Sequence, residues 1–220
     1  PPPPTPTLDN LRRQRQMCIR DRGNGSEPQT LDPHRAQGVP ASNILRDLYE
    51  PLIMEAPDGS LIPGAAESWE ISADGRIYTF TLRADGRWSN GDPVTASDWV
   101  FSLRRGLDPA TLSVYSGILF PIKNGAAVNR GELPPEKLGV RAVDERTLQI
   151  TLENSTPHFL GLLNHAMAYA VHPPSVAEHD EQFARPGKLI GNGAYVLKGW
   201  VVQSHVELVR NQQFRQPVGH

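Results

Sequence analysis

Residues 65–98 decide the fold: Ala65-Ala66-Glu67-Ser68-Trp69-Glu70, then Ile77-Tyr78-Thr79-Phe80-Thr81-Leu82-Arg83, then Trp88-Ser89-Asn90-Gly91-Asp92-Pro93-Val94-Thr95-Ala96-Ser97-Asp98. Ile77, Thr79 and Thr81 alternate with Tyr78, Phe80 and Leu82, the period of a half-buried strand. Asp74-Gly75 joins it to the strand at Trp69-Glu70-Ile71 as a hairpin. Asp85-Gly86 and Asn90-Gly91 are two further turn pairs. Thr95-Ala96-Ser97-Asp98 has the spacing of a capping box, and Trp99, Val100 and Leu103 give the helix it opens an apolar face. Gly106 is placed to end that helix.

The same alternation of hairpins and short helices extends outward. Leu52-Ile53-Met54 and Leu61-Ile62 flank Asp58-Gly59. Residues 140–143 pair with 147–152 across Asp144-Glu145-Arg146. Ala194 to Leu197 pairs with His205 to Val209. Ser42 is read as the N-cap of a helix carrying Ile44, Leu45 and Leu48, limited by Pro51 to about two turns. Thr156 and Pro157 are expected to start a helix through Leu163, with Pro157 at its first position. His172-Pro173-Pro174 reads as a hard break, and a short helix is expected near Ser175 to Phe183. No internal repeat is visible. Strands outnumber long helices, so the fold class is α+β and not a doubly wound parallel sheet.

Composition narrows the function classes. The 220 residues carry a formal net charge of -2 and 38% hydrophobic residues, which fits neither disorder nor a nucleic-acid binder. With Cys18 as the single cysteine, no intrachain disulfide can form. No stretch approaches the length of a membrane-spanning helix. Residues 1–22 lack periodicity and are expected to be a disordered or artefactual leader, without the apolar core of a signal peptide. His158, His165, His172 and His179 recur every seven residues, but Pro173 and Pro174 interrupt any shared helix. With no His-Glu-x-x-His motif or Cys/His cluster, no metal is expected. There is no Gly-x-Ser-x-Gly elbow. Gly191-Asn192-Gly193 precedes a strand and lacks a third glycine at 196, so it is not a dinucleotide loop. No catalytic residue and no cofactor are assigned.

The block from Ala65 to Asp98 strongly resembles the signature of bacterial extracellular solute-binding proteins of the oligopeptide-binding class. Further landmarks keep the family order: Leu31-Asp32-Pro33-His34, Gly38-Val39-Pro40, Ser42 to Glu50, Asp108-Pro109, Leu138-Gly139-Val140, and Asn192-Gly193-Ala194-Tyr195 with Trp200-Val201-Val202. The match runs from about Gly23 to Phe214.

The resemblance implies a periplasmic-binding-protein-like architecture with a split first lobe. Residues 23–49 would begin domain I, 50–173 would form domain II, and 174–220 would return to domain I, truncated. A crossover between lobes would fall near His172, and a second lobe, absent from these residues, would follow. The implied role is capture of oligopeptides for the membrane permease of an ABC importer, with no enzymatic activity. The alternatives are dipeptides, nickel chelates or another solute on the same fold, or a secreted enzyme or adhesion module. The implied location is the periplasm, or a lipid-anchored extracellular position in a Gram-positive source. The full-length protein would be a monomer.

Broad peptide recognition asks for contacts to the ligand backbone and roomy, wet side-chain pockets. On the resemblance, Gln37, Gly38 and Val39 form a ligand-proximal loop. Gly38 would permit close approach and Val39 would cover the ligand. Tyr115 would pack on the peptide, the alternative being a core tyrosine. Arg46 would clamp a carboxylate, the alternative being a salt bridge to Asp47, Glu50 or another acid. His165 is a weaker candidate of the same kind. The family acid that holds the ligand's free amino group would lie in the second lobe.

Overall fold

The computed structural model describes residue 24 and residues 26–215. The leader at 1–22, with Cys18, lies outside the described residues. In chain order the elements are α1 (Gly38–Leu48), β1 (Ile53–Glu55), β2 (Leu61–Pro63), β3 (Ala66–Ile71), β4 (Ile77–Leu82), α2 (Ala96–Leu107), α3 (Gly125–Asn129), β5 (Val140–Ala142), β6 (Thr147–Thr151), α4 (Phe159–Leu162), α5 (Pro173–His179), β7 (Tyr195–Val201) and β8 (His205–Arg210), with short 3-10 turns between them. The α+β class is as the alternation implied.

The strands form three antiparallel sheets: β1-β2, β3-β4-β6-β5 and β7-β8. In the four-stranded sheet β4 is central, paired to β3 as Trp69↔Phe80 and to β6 as Phe80↔Leu148. Tyr78, Phe80 and Leu82 are buried while Ile77, Thr79 and Thr81 are half-buried, the alternation read from the sequence. They share one core with Trp99 and Leu103 of α2, which packs against β5 and β6. Thr95 and Asp98 close a reciprocal capping box at its N-terminus, and Asp98 also accepts a hydrogen bond from Trp88 Nε1 at 3.1 Å. The cap therefore locks the preceding turn as well as the helix.

Two apolar cores result. The larger gathers Tyr78, Phe80, Trp88, Trp99, Leu103, Leu148, Ile150 and Phe159. The smaller gathers Leu31, Leu45, Leu48, Tyr49, Tyr169, Phe183, Leu197 and Leu208 from distant parts of the chain.

Several boundaries differ from the sequence reading. α1 starts at Gly38, not after Ser42, and runs three turns. Its N-cap is Gln37, whose side chain caps nothing. Ser42 instead donates to the Gly38 carbonyl from inside the helix. Gly106 does not end α2. It is buried in the last turn, and a Cβ there would meet the methyl carbon of Met167 at 3.2 Å. α4 begins at Phe159, leaving Pro157 outside. Pro173 and Pro174 open α5 rather than break the chain, because proline needs no N–H in a first turn. His172 caps that helix: its Nδ1 accepts from Ser175 N at 3.2 Å.

A polar seam joins the cores. Arg105 of α2 grips the buried Asp32 carboxylate with both terminal nitrogens, at 3.0 and 2.7 Å. It also donates to His34 Nδ1 at 2.8 Å and lies over the Phe183 ring. With Nδ1 accepting, the His34 proton sits on Nε2, which donates to the Tyr169 carbonyl at 3.1 Å. Burial, partly offset by Asp32, pushes the His34 pKa down to about 4, so the ring is neutral near pH 7. Burial works to raise the Asp32 pKa, but the Arg105 hydrogen bond and charge with those of His34 outweigh it and the net shift is downward.

Gly191-Asn192-Gly193 forms a second joint. Asn192 accepts from Glu50 N and donates to Glu50 O, at 3.0 and 3.1 Å. The flanking glycines press on the end of α1: a Cβ would sit 2.1 Å from the Leu48 carbonyl oxygen at 191 and 2.5 Å from its carbon at 193. These glycines are there for backbone contact.

Candidate functional site

The segment after α4 positions most of the expected site. Residues Ala166–Ala168 form one 3-10 turn capped by His165, whose Nδ1 accepts from Met167 N at 3.1 Å. This contact fixes the orientation of the imidazole. Burial lowers the His165 pKa, so the ring is neutral near pH 7. Tyr115 caps another 3-10 turn, Ser116–Leu119, and meets His165 edge to face with ring centroids 5.3 Å apart. Tyr115 is 40% exposed, and Leu112 and Val114 beside it are more exposed still. A core tyrosine would not be so open. Two of the expected residues therefore form one aromatic ledge.

A residue the sequence reading did not name closes the His165 turn. Tyr169 caps the C-terminal end of the His165 turn and is only 2% exposed. Its hydroxyl donates to the Asn164 carbonyl at 3.2 Å. Burial raises the phenol's pKa, and the Arg46 guanidinium beside the hydroxyl works against that rise. Arg46 itself is exposed on α1. The salt bridge considered for it does not form with Glu50, which is held by Arg215.

Gln37, Gly38 and Val39 lie at the other end of α1. All three are exposed, and Val39 is 71% exposed. Gly38 has φ 79°, a conformation that costs other residues strain. Val39 and Arg46 are seven residues apart on one helix, hence on the same face and about 10 Å apart along the axis. The structure thus joins Tyr115 to His165 and carries Arg46 and Val39 together on α1; these four make up the candidate strip. Gln37 makes no capping contact and is not drawn into the strip.

The strip is open and mixed in character, with aromatic edges at one end and a cation at the other. Among the described residues no cluster of three or more histidine, cysteine or acidic side chains could hold a metal ion. A crevice elsewhere, lined by Glu50, Arg83, Asp85 and Arg215, is already filled by its own ion pairs.

Residues 60–219 match the family model described as bacterial extracellular solute-binding proteins, family 5 middle. The chain belongs to that family. It is 43% identical over 203 residues to the periplasmic oligopeptide-binding protein OppA of Escherichia coli strain K12, covering 91% of this chain and 37% of that protein. It is 42% identical over 190 residues to the periplasmic murein peptide-binding protein MppA of the same strain, covering 86% and 35%. The structure of Haemophilus influenzae OppA in complex with the peptide RPPGFSPFR superimposes with a TM-score of 0.84 at 39% identity, covering 87% of this chain and 38% of that one. The chain therefore spans little more than a third of the relatives it matches. These relatives are solute-binding proteins, named as periplasmic, and the fold is a partial lobe of a periplasmic-binding-protein-like architecture.

Proposed function

We propose that this chain is the first-lobe portion of a non-enzymatic solute-binding protein that captures oligopeptides outside the inner membrane for an ABC importer permease. One observation carries the reading. The strip of exposed Tyr115 and half-buried His165, with exposed Arg46 and Val39 on α1, offers an amphipathic ledge without an evident catalytic constellation. Such a surface suits a ligand read by its backbone and packed on aromatic faces. Gln37, Gly38 and Val39 border the ligand in this reading, with Gly38 giving close backbone access.

The two cores support a division of the lobe into domains. The smaller core belongs to domain I, residues 23–49 and 174–220, and the larger to domain II, residues 50–173. Ala166, Tyr169 and Val171 pack into the smaller core ahead of that boundary, so the segment before His172 serves both. The full-length protein works as a monomer that closes its second lobe over this strip.

The test is mass spectrometry of ligands co-purifying with the full-length protein. A ladder of short peptides is the expected result. A single non-peptide solute, or none after native purification, would overturn the reading.

A further inference from the structure

We propose that Gly106 is a positioning residue of the candidate strip: its missing side chain lets two 3-10 turns close on α2 and so sets Tyr115 and His165 edge to face. The effect on ligand rests on the peptide-binding reading above.

Gly106 lies buried in the last turn of α2, where glycine weakens a helix relative to alanine. Its backbone is not in the left-handed region, so conformation does not demand glycine there. Space does demand it. A Cβ at 106 would lie 3.2 Å from the terminal methyl of Met167, 3.6 Å from the Met167 carbonyl oxygen and 3.6 Å from a Leu119 methyl. Met167 and Leu119 are both buried.

Each of these neighbours belongs to a turn that carries a strip residue. Met167 is the middle residue of the Ala166–Ala168 turn, and its N–H donates to His165 Nδ1 at 3.1 Å. Leu119 is the last residue of the Ser116–Leu119 turn, whose N-cap is Tyr115. The two turns pack on α2 and on each other. The Tyr115 and His165 rings stand 5.3 Å apart with their planes at 70°. A clasp ties the Tyr115 turn to the end of α2: Ser116 Oγ donates to Asn129 Oδ1 at 3.3 Å, and Asn129 Nδ2 donates to the Leu107 carbonyl at 3.2 Å. The clasp holds one turn, while the gap at Gly106 admits both. A side chain at 106 therefore pushes on both turns at once, because a packed interior passes the displacement on. The aromatic pair moves with them.

Measurements on the full-length protein can read the rings and the ligand separately. Magnetic resonance of isotope-labelled histidine and tyrosine reports the His165 imidazole nitrogens and the Tyr115 ring protons. Calorimetry with trialanine reports binding. Gly106→Ala should melt no lower than the wild type, since alanine favours the helix, yet shift both ring signals and weaken trialanine about threefold. Gly106→Val, with a helix propensity no worse than that of glycine, reaches further into the turns and should weaken trialanine about tenfold. Adding Met167→Leu to Gly106→Ala removes the crowded terminal methyl. It should return both ring signals and bring affinity within about twofold of the wild type. Ring signals unmoved in Gly106→Ala overturn the proposal, whether or not the valine variant folds. So does weakened binding that Met167→Leu does not relieve. If the rings move and return as expected but trialanine affinity never changes, the positioning holds and the peptide reading of the strip fails.

Discussion

The larger core and the seam beside it are built on opposite principles. The larger core is apolar, built on the four-stranded sheet and the α2 helix that packs against it. The seam is polar, and its pairs span long stretches of chain: Asp32 with Arg105, His34 with Tyr169, Glu50 with Asn192 and Arg215. Burial of alternating side chains tells each unit how to fold. Buried polar pairs tell the two units how to sit, because a misplaced partner leaves a charge or donor unsatisfied.

That contrast can be broken first at Arg105. Arg105→Leu strands the buried Asp32 carboxylate and should cost about 3–5 kcal/mol. Urea unfolding followed by tryptophan fluorescence and by far-ultraviolet dichroism should then give two non-coincident transitions. A single coincident transition would mean the seam does not couple the cores. Leu148→Ala, in the apolar sheet, should cost about 2–5 kcal/mol while the probes stay coincident.

Acid tests the seam more gently. His34 has a folded pKa of about 4 against 6.5 for the free residue, so the unfolded chain binds the extra proton between those values. Stability from this group is complete above pH 6.5 and falls as the pH drops through 4, by about 3 kcal/mol in all. His34→Gln should flatten the pH profile between those limits. The smallest effect belongs to the capping box. Thr95→Ala removes one cap bond and should cost about 1 kcal/mol by thermal denaturation.

The same contrast explains what the sequence made legible. Tyr78-Thr79-Phe80-Thr81-Leu82 announced its strand, and Thr95-Ala96-Ser97-Asp98 its helix start, because both signals are local. Helix ends misled where a distant contact overrode a local one. Gly106 reads as a terminator but is needed small against Met167. Gly191 and Gly193, just ahead of a strand, are needed small against Leu48. Pro173-Pro174 reads as a break because the capping role of His172 depends on its rotamer.

The candidate site divides in the same way. Tyr115, His165 and Arg46 could be named from the family resemblance. The edge-to-face contact of Tyr115 with His165 could not, since nothing in their spacing, fifty residues apart, brings them together.

The central claim is that ligand lies along the strip of Tyr115, His165 and Arg46. The most direct measurement is photocrosslinking of the full-length protein with a peptide carrying a benzophenone side chain, mapped by mass spectrometry. Within this chain, the account predicts adducts concentrated on Tyr115, His165 and residues 39–46, suppressed by unlabelled peptide. Competable adducts confined to other surfaces, such as the crevice at Arg83 and Asp85 or the hairpin tip at Val201 and Val202, would contradict it.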